Sequence, residues 1–124
     1  MPAAITILAT EGAGAPAPDK GRASPESLIS GDYATTTWNA FTGEGDRLYC
    51  GTWECTPGKV KVNYVEWEFC HILSGTAVLT NEAGQSWTVK TGDGFIIPAG
   101  FRGTWETVET LRKHYVILMP PAAA

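Results

Sequence analysis

The sequence predicts an all-β barrel or sandwich, and three observations predict it. Lys59-Val60-Lys61-Val62-Asn63-Tyr64 alternates polar and apolar residues strictly, and Ser86-Trp87-Thr88-Val89-Lys90 does the same. A side-chain period of two belongs to a strand with one buried face. Turn signals recur at short intervals, at Thr56-Pro57-Gly58, Ser74-Gly75, Asn81-Glu82-Ala83-Gly84, Thr91-Gly92-Asp93-Gly94 and Pro98-Ala99-Gly100. The runs between them suit short strands better than helices. Finally, 14 glycines and 8 prolines are spread along 124 residues, which favours many tight turns. About eight short strands at this spacing make a sandwich or barrel.

The elements follow in chain order. Residues 1–32 read as an irregular arm, because Thr10 to Arg22 is largely Ala, Gly and Pro. Within the arm, Ile5-Thr6-Ile7-Leu8 is a short apolar strip with no basic residue before it, so it does not read as a leader peptide. It could add a strand to the sheet of a second copy, and a homodimer is expected. Ser24-Pro25-Glu26 carries the marks of a helix start, with Ser as cap and Pro in the first turn. Gly31 would keep that helix short.

Residues 33–119 form the predicted barrel, and 120–124 a disordered tail. Val60, Val62 and Tyr64 share a face, with the intervening lysines toward solvent. Phe69 to Leu73 and Tyr115 to Met119 are nearly continuous apolar runs, as expected of strands buried on both sides. The five tryptophans divide between core packing, a dimer face and a pocket mouth.

Composition narrows the function. The length suits one domain, and 44% apolar with 18% charged residues is ordinary for a folded protein. A formal charge of −4 with no Lys/Arg cluster argues against nucleic acid and against an anionic membrane surface. No apolar run is long enough to span a bilayer. Cys50, Cys55 and Cys70 are odd in number and make no C-x-x-C pair. They read as buried apolar residues in a reducing cytoplasm rather than a disulfide framework.

Two stretches are more specific. Glu68, six residues and Gly75, then Gly92-Asp93, four residues and Pro98-Ala99-Gly100, resemble the two conserved motifs of the cupin family. Trp53 to Lys59, Glu68-Phe69-Cys70, Pro98 to Glu106 and Arg112 to Tyr115 look like the small cupins related to ethanolamine-utilisation cupins. These are also similar to the cupin domain of ureidoglycine aminohydrolase. The resemblance spans about Tyr33 to Met119 and implies an RmlC-like jelly-roll barrel. Many cupins hold a divalent metal through two His and a Glu of the first motif and a His of the second. Those positions fall here on Val62, Tyr64, Glu68 and Gly103, so only the Glu is kept.

A divalent site needs three or four donors at bonding distance. Val and Gly supply none, and a phenol is neutral near pH 7. Glu66, Glu68 and His71 are close in sequence, but alternation sends Glu68 and His71 to opposite faces. No metal and no cofactor are therefore expected.

An inward Glu68 without a metal must be protonated or matched by a donor or cation. Tyr64, Lys113 and His114 are its candidate partners. Lys113 and His114 are adjacent, so at most one enters the barrel. Phe101, Gly103, Trp105 and His114 are the expected ligand-binding residues, since Phe101 and Trp105 flank the space left by a missing His at position 103. Asp93 caps its own turn.

Three functions fit these residues. The first is a metal-independent cupin binding a small polar metabolite. The second is an aminohydrolase-like enzyme with Glu68 as general acid or base and Tyr64 or Lys113 orienting the substrate. The third is a structural homodimer without a ligand.

Overall fold

The computed structural model describes residues 3–121. All of its regular structure is β: β1 Asp19–Arg22, β2 Leu28–Gly31, β3 Ala34–Gly43, β4 Leu48–Cys55, β5 Gly58–Asn63, β6 Trp67–Asn81, β7 Ser86–Lys90, β8 Gly94–Ile97 and β9 Arg102–Leu118. The last three residues of the predicted tail, 122–124, lie outside the described residues.

Two long strands, β6 and β9, organise the rest. They pair antiparallel from Trp67↔Leu118 to Asn81↔Gly103. The first half of β6 also pairs with β8 and its second half with β7. Likewise β9 pairs with β5 through Arg102–Thr107 and with β4 through Leu111–Leu118. One continuous ladder thus bends into two facing halves. The bend sits at register shifts between Ile72 and Ala77, as bulges require. Gly75 is at its centre with φ +91°, and a Cβ there would lie 2.2 Å from the Thr110 carbonyl oxygen. Only glycine meets both demands. Ser74-Gly75 is therefore a kink inside one strand, not the turn between strands that its composition predicts.

Alternation fills the interior. Val60, Cys70, Ile72, Ala77, Leu79, Val89, Ile97, Trp105 and Leu111 form the buried cluster. Burying one large apolar side chain of this kind stabilises the fold by about 1.5–3 kcal/mol. Val62 and Tyr64 pack against the same cluster, as the β5 pattern predicts. The runs Phe69–Leu73 and Tyr115–Met119 are buried on one side only, since Phe69 and Leu118 are each 37% exposed on the outer face.

The arm holds more structure than its composition suggests. β1 pairs with β3, and β2 pairs with β5. The predicted helix at Ser24-Pro25-Glu26 is absent. The Ser24 carbonyl accepts from Leu28 N at 3.0 Å, closing a turn, and the Lys61 amide donates to Ser27 O at 2.8 Å. Pairing with β5 offers these residues a sheet ladder, and tertiary context overrides a weak local helix signal. Nearer the start, Thr10 Oγ1 accepts from Arg112 Nη1 at 3.3 Å. The strip Ile5 to Leu8 is not a strand, and Ile5 and Ile7 are exposed.

Candidate functional site

The site begins with two alternating sets. On β6, Glu68, Cys70 and Ile72 are buried while the residues between them are more exposed. On β9, Leu111, Lys113 and Tyr115 do the same. The β6–β9 register sets Lys113 opposite Ile72 and Tyr115 opposite Cys70. From there the lysine side chain reaches diagonally across the pair. Lys113 Nζ donates to Glu68 Oε2 at 2.7 Å and to Cys70 Sγ at 3.3 Å. The Cys70 thiol in turn donates to the same Glu68 oxygen at 3.1 Å. Three buried side chains close a ring of hydrogen bonds around one ion pair.

Two indoles hold the ammonium from the other side. Lys113 Nζ is 4.8 Å from the centroid of the Trp53 ring and 4.7 Å from that of Trp105. The rings meet edge to face at 5.7 Å and 89°. Trp105 Nε1 donates to Thr107 Oγ1 at 2.9 Å, which fixes the ring. A cation within about 6 Å of a ring face is attracted by its quadrupole. Burial by itself would lower the lysine pKa. The Glu68 carboxylate, helped by Cys70 and Tyr64, outweighs it and holds Lys113 well above the ordinary lysine range.

This pair lies in the wall of a cavity of about 500 Å³. Tyr33, Tyr49, Trp53, Tyr64, Trp105 and Tyr115 supply its aromatic surface, and Thr37, Asn39 and Ile117 complete it. Tyr115 donates to Asn39 Oδ1 at 2.7 Å. Burial raises the phenols of Tyr33 and Tyr64 well above their ordinary value and pushes Tyr115 up to about 12. Burial likewise pushes Cys70 up to about 12. At neutral pH these phenols and the thiol therefore keep their protons, and the ion pair in the wall is the one between Lys113 and Glu68.

Of the residues expected from the sequence, Glu68, Tyr64, Lys113 and Trp105 meet at this cavity. The others do not. His114 projects from the opposite side of β9, in register with His71, and burial together with the His71 charge lowers its pKa. Phe101 lines a separate apolar groove with Trp87 and Ile97, although its ring lies 6.2 Å from that of Tyr64. Gly103 is no vacated space. A Cβ there would sit 1.8 Å from the Thr80 carbonyl oxygen, because β6 runs beside it with Asn81 as its ladder partner.

The sequence reading missed Tyr33, Asn39, Trp53, Cys70 and Tyr115 as site residues. A signal existed for three of them. Cys70 lies two residues from Glu68 on β6, Trp53 two from Cys55 on β4, and Tyr115 two from Lys113 on β9, so alternation puts each on an inward face.

The positions that would carry a metal do not fit one. Val62 is packed in the core, Gly103 has no side chain, Tyr64 keeps its proton, and Glu68 already faces an ammonium. Among the described residues, no group of three or more His, Cys, Asp and Glu is gathered in a ligating arrangement. No helix among them is long and apolar enough to cross a membrane.

Comparison with known proteins agrees with this architecture. A family model described as the EutQ-like cupin domain matches residues 42–115. Among solved structures, a DUF861-family protein of unknown function from Pseudomonas syringae pv. tomato aligns with a TM-score of 0.70 and 25% identity, covering 92% of this chain and 44% of that one. The EutQ protein of Clostridium difficile aligns at 0.62 and 23%, covering 69% and 63%. A DUF861-family protein of Thermotoga maritima aligns at 0.51 and 34%, covering 52% and 73%. The chain thus spans less than two thirds of the first two relatives' length. No curated protein sequence matches it.

Proposed function

This chain belongs to the EutQ-like cupin domain family, and from that premise we propose that it is a metal-independent cupin that binds a small polar metabolite inside its barrel. One observation carries the reading. The carboxylate that the resemblance assigns to a metal, Glu68, is 2.7 Å from the ammonium of Lys113, in the wall of an aromatic-lined cavity. The lysine supplies in place the positive charge that the carboxylate needs. The cavity is concave and mostly apolar with a few placed polar groups, which is the usual character of a small-molecule site.

Binding is favoured over turnover by the same contact. A general acid or base must exchange its proton at the working pH, whereas the Glu68 carboxylate is held by two donors, Lys113 and Cys70. Two bonds to Oε2 leave Oε1 to accept from a ligand, and Tyr64 lines the same cavity with a phenolic hydroxyl.

A thermal-shift screen against ureides, amino acids, small amines and carboxylates tests the proposal. A ligand selective for the folded state raises its melting temperature. At least one class is expected to do so in the wild type and to lose the effect in Tyr64→Phe. If no class shifts the wild-type melting temperature, the binding role is wrong. Turnover abolished in Glu68→Gln would replace it with the enzymatic reading.

A further inference from the structure

The wall's own charge decides which ligands can enter. Glu68 and Lys113 are each 4% exposed, and each already faces the other at 2.7 Å. Every other side chain lining the cavity is uncharged at neutral pH: four tyrosines, two tryptophans, Thr37, Asn39 and Ile117. The wall therefore carries no net charge and offers no counter-ion that is not in use. A charged ligand entering such a site would give up its hydration without gaining a free partner. A cation would also approach Lys113, whose ring contacts with Trp53 and Trp105 are taken, and an anion would approach Glu68.

The remaining groups suit a neutral guest. Flat aromatic surfaces favour a ring or another planar group through stacked or edge contacts. The hydroxyls of Tyr33, Tyr64 and Thr37 can each both donate and accept, while those of Tyr49 and Tyr115, whose protons go to Asp46 O and Asn39 Oδ1, can accept. We propose that the barrel cavity selects uncharged ligands, ring-bearing or planar molecules with hydroxyl or amide groups, and that the Glu68–Lys113 pair is the filter that rejects anions and cations alike. This rests on the reading of the cavity as a binding site and adds the class of ligand.

Three probes of similar shape test it: benzamide, benzylammonium and benzoate, titrated at pH 7 while amide resonances of cavity residues are followed by NMR. In the wild type, benzamide is expected to bind at least tenfold more tightly than either ion. Lys113→Met frees the carboxylate, so the preference should move at least tenfold toward benzylammonium. Glu68→Gln frees the ammonium and should move it as far toward benzoate. The double variant Glu68→Gln/Lys113→Met restores neutrality and should again prefer benzamide, so the test stands even where a single variant fails to fold. A wild type that binds either ion more tightly than benzamide overturns the filter and leaves the binding site standing. Silence of all three probes on every variant overturns both.

Discussion

The Lys113 ammonium of β9 donates to the Glu68 carboxylate of the neighbouring strand β6, and their side chains are only 5% and 6% exposed. Desolvating two ions costs several kcal/mol each, which their attraction offsets only when both are present. Removing one partner leaves an unmatched buried charge. Glu68→Gln and Lys113→Met are each expected to destabilise the protein by about 3–5 kcal/mol. The double variant should recover most of that loss, falling within about 1–2 kcal/mol of the wild type, because a neutral pair needs no counter-charge. Urea unfolding of the four proteins measures the coupling. Additive losses would mean that the two groups do not depend on each other.

Position 103 makes a different kind of demand. The resemblance places a metal-binding His there in other cupins, so Gly103→His looks like a way to rebuild a metal site. The Thr80 carbonyl oxygen, 1.8 Å from where a Cβ would lie, forbids it without moving β6. Backbone cannot yield as a flexible side chain can, and forced overpacking costs about 1–3 kcal/mol or more. Even Gly103→Ala should therefore lower the urea midpoint clearly, by about 2 kcal/mol or more. Gly103→His should yield less folded protein and no stoichiometric zinc by elemental analysis. A stable Gly103→Ala would show that β6 and β9 are not packed this closely.

The contrast between these sites explains what the sequence reveals. Period-two alternation is local, so the inward directions of Val60, Val62 and Tyr64 can be read from it, and so can the opposition of Lys113 and His114. Which inward groups meet depends on register between distant strands. Glu68 and Lys113 are 45 residues apart, and no local spacing rule fixes the ladder that joins them, in which Glu68 faces Ile117 and Lys113 faces Ile72. The same kind of long-range pairing sets Thr80 beside Gly103, a position that looks open in the sequence. Near the N-terminus, the helix signal at Ser24-Pro25-Glu26 is local and loses to a strand pairing that is not.

Two buried threonines should respond oppositely to the same change. Thr107 is 1% exposed, and its hydroxyl accepts from Trp105 Nε1 at 2.9 Å. Thr52 is equally buried, but its Oγ1 has no hydrogen-bond partner among the described residues. Valine keeps the shape and removes the hydroxyl. Thr107→Val leaves the indole N–H unsatisfied and should cost about 1–3 kcal/mol, whereas Thr52→Val should be neutral or stabilising by about 1 kcal/mol. Equal effects in thermal unfolding would show that Thr52 has a partner in solution.

Alkaline pH should loosen the barrel more than mild acid does, and the direction follows from groups that stay protonated only when folded. Burial pushes Cys55 up to about 11 and Cys70 up to about 12, from an ordinary 9.0. Lys113, whose ordinary value is 10.5, is raised by its carboxylate partner against the opposing effect of burial. In each case the folded chain keeps a proton that the unfolded chain has lost, so stability falls as pH rises. The contribution is complete below about pH 9. It should decline from there as the unfolded thiols ionise, and more steeply from about pH 10 as the unfolded tyrosines and then lysine, at about 10.5, deprotonate. Acid acts through His114, whose lowered pKa makes the unfolded chain take up the proton first. That gives a smaller loss below about pH 6.5 from one partly exposed ring. Urea midpoints measured from pH 5 to 11 should be flat near neutrality and fall on the alkaline side, and in Cys50→Ser/Cys55→Ser/Cys70→Ser the onset should move from about pH 9 toward about 10, where the unfolded tyrosines ionise. A midpoint that rises between pH 9 and 11 would mean that these thiols and Lys113 are not held protonated in the folded interior.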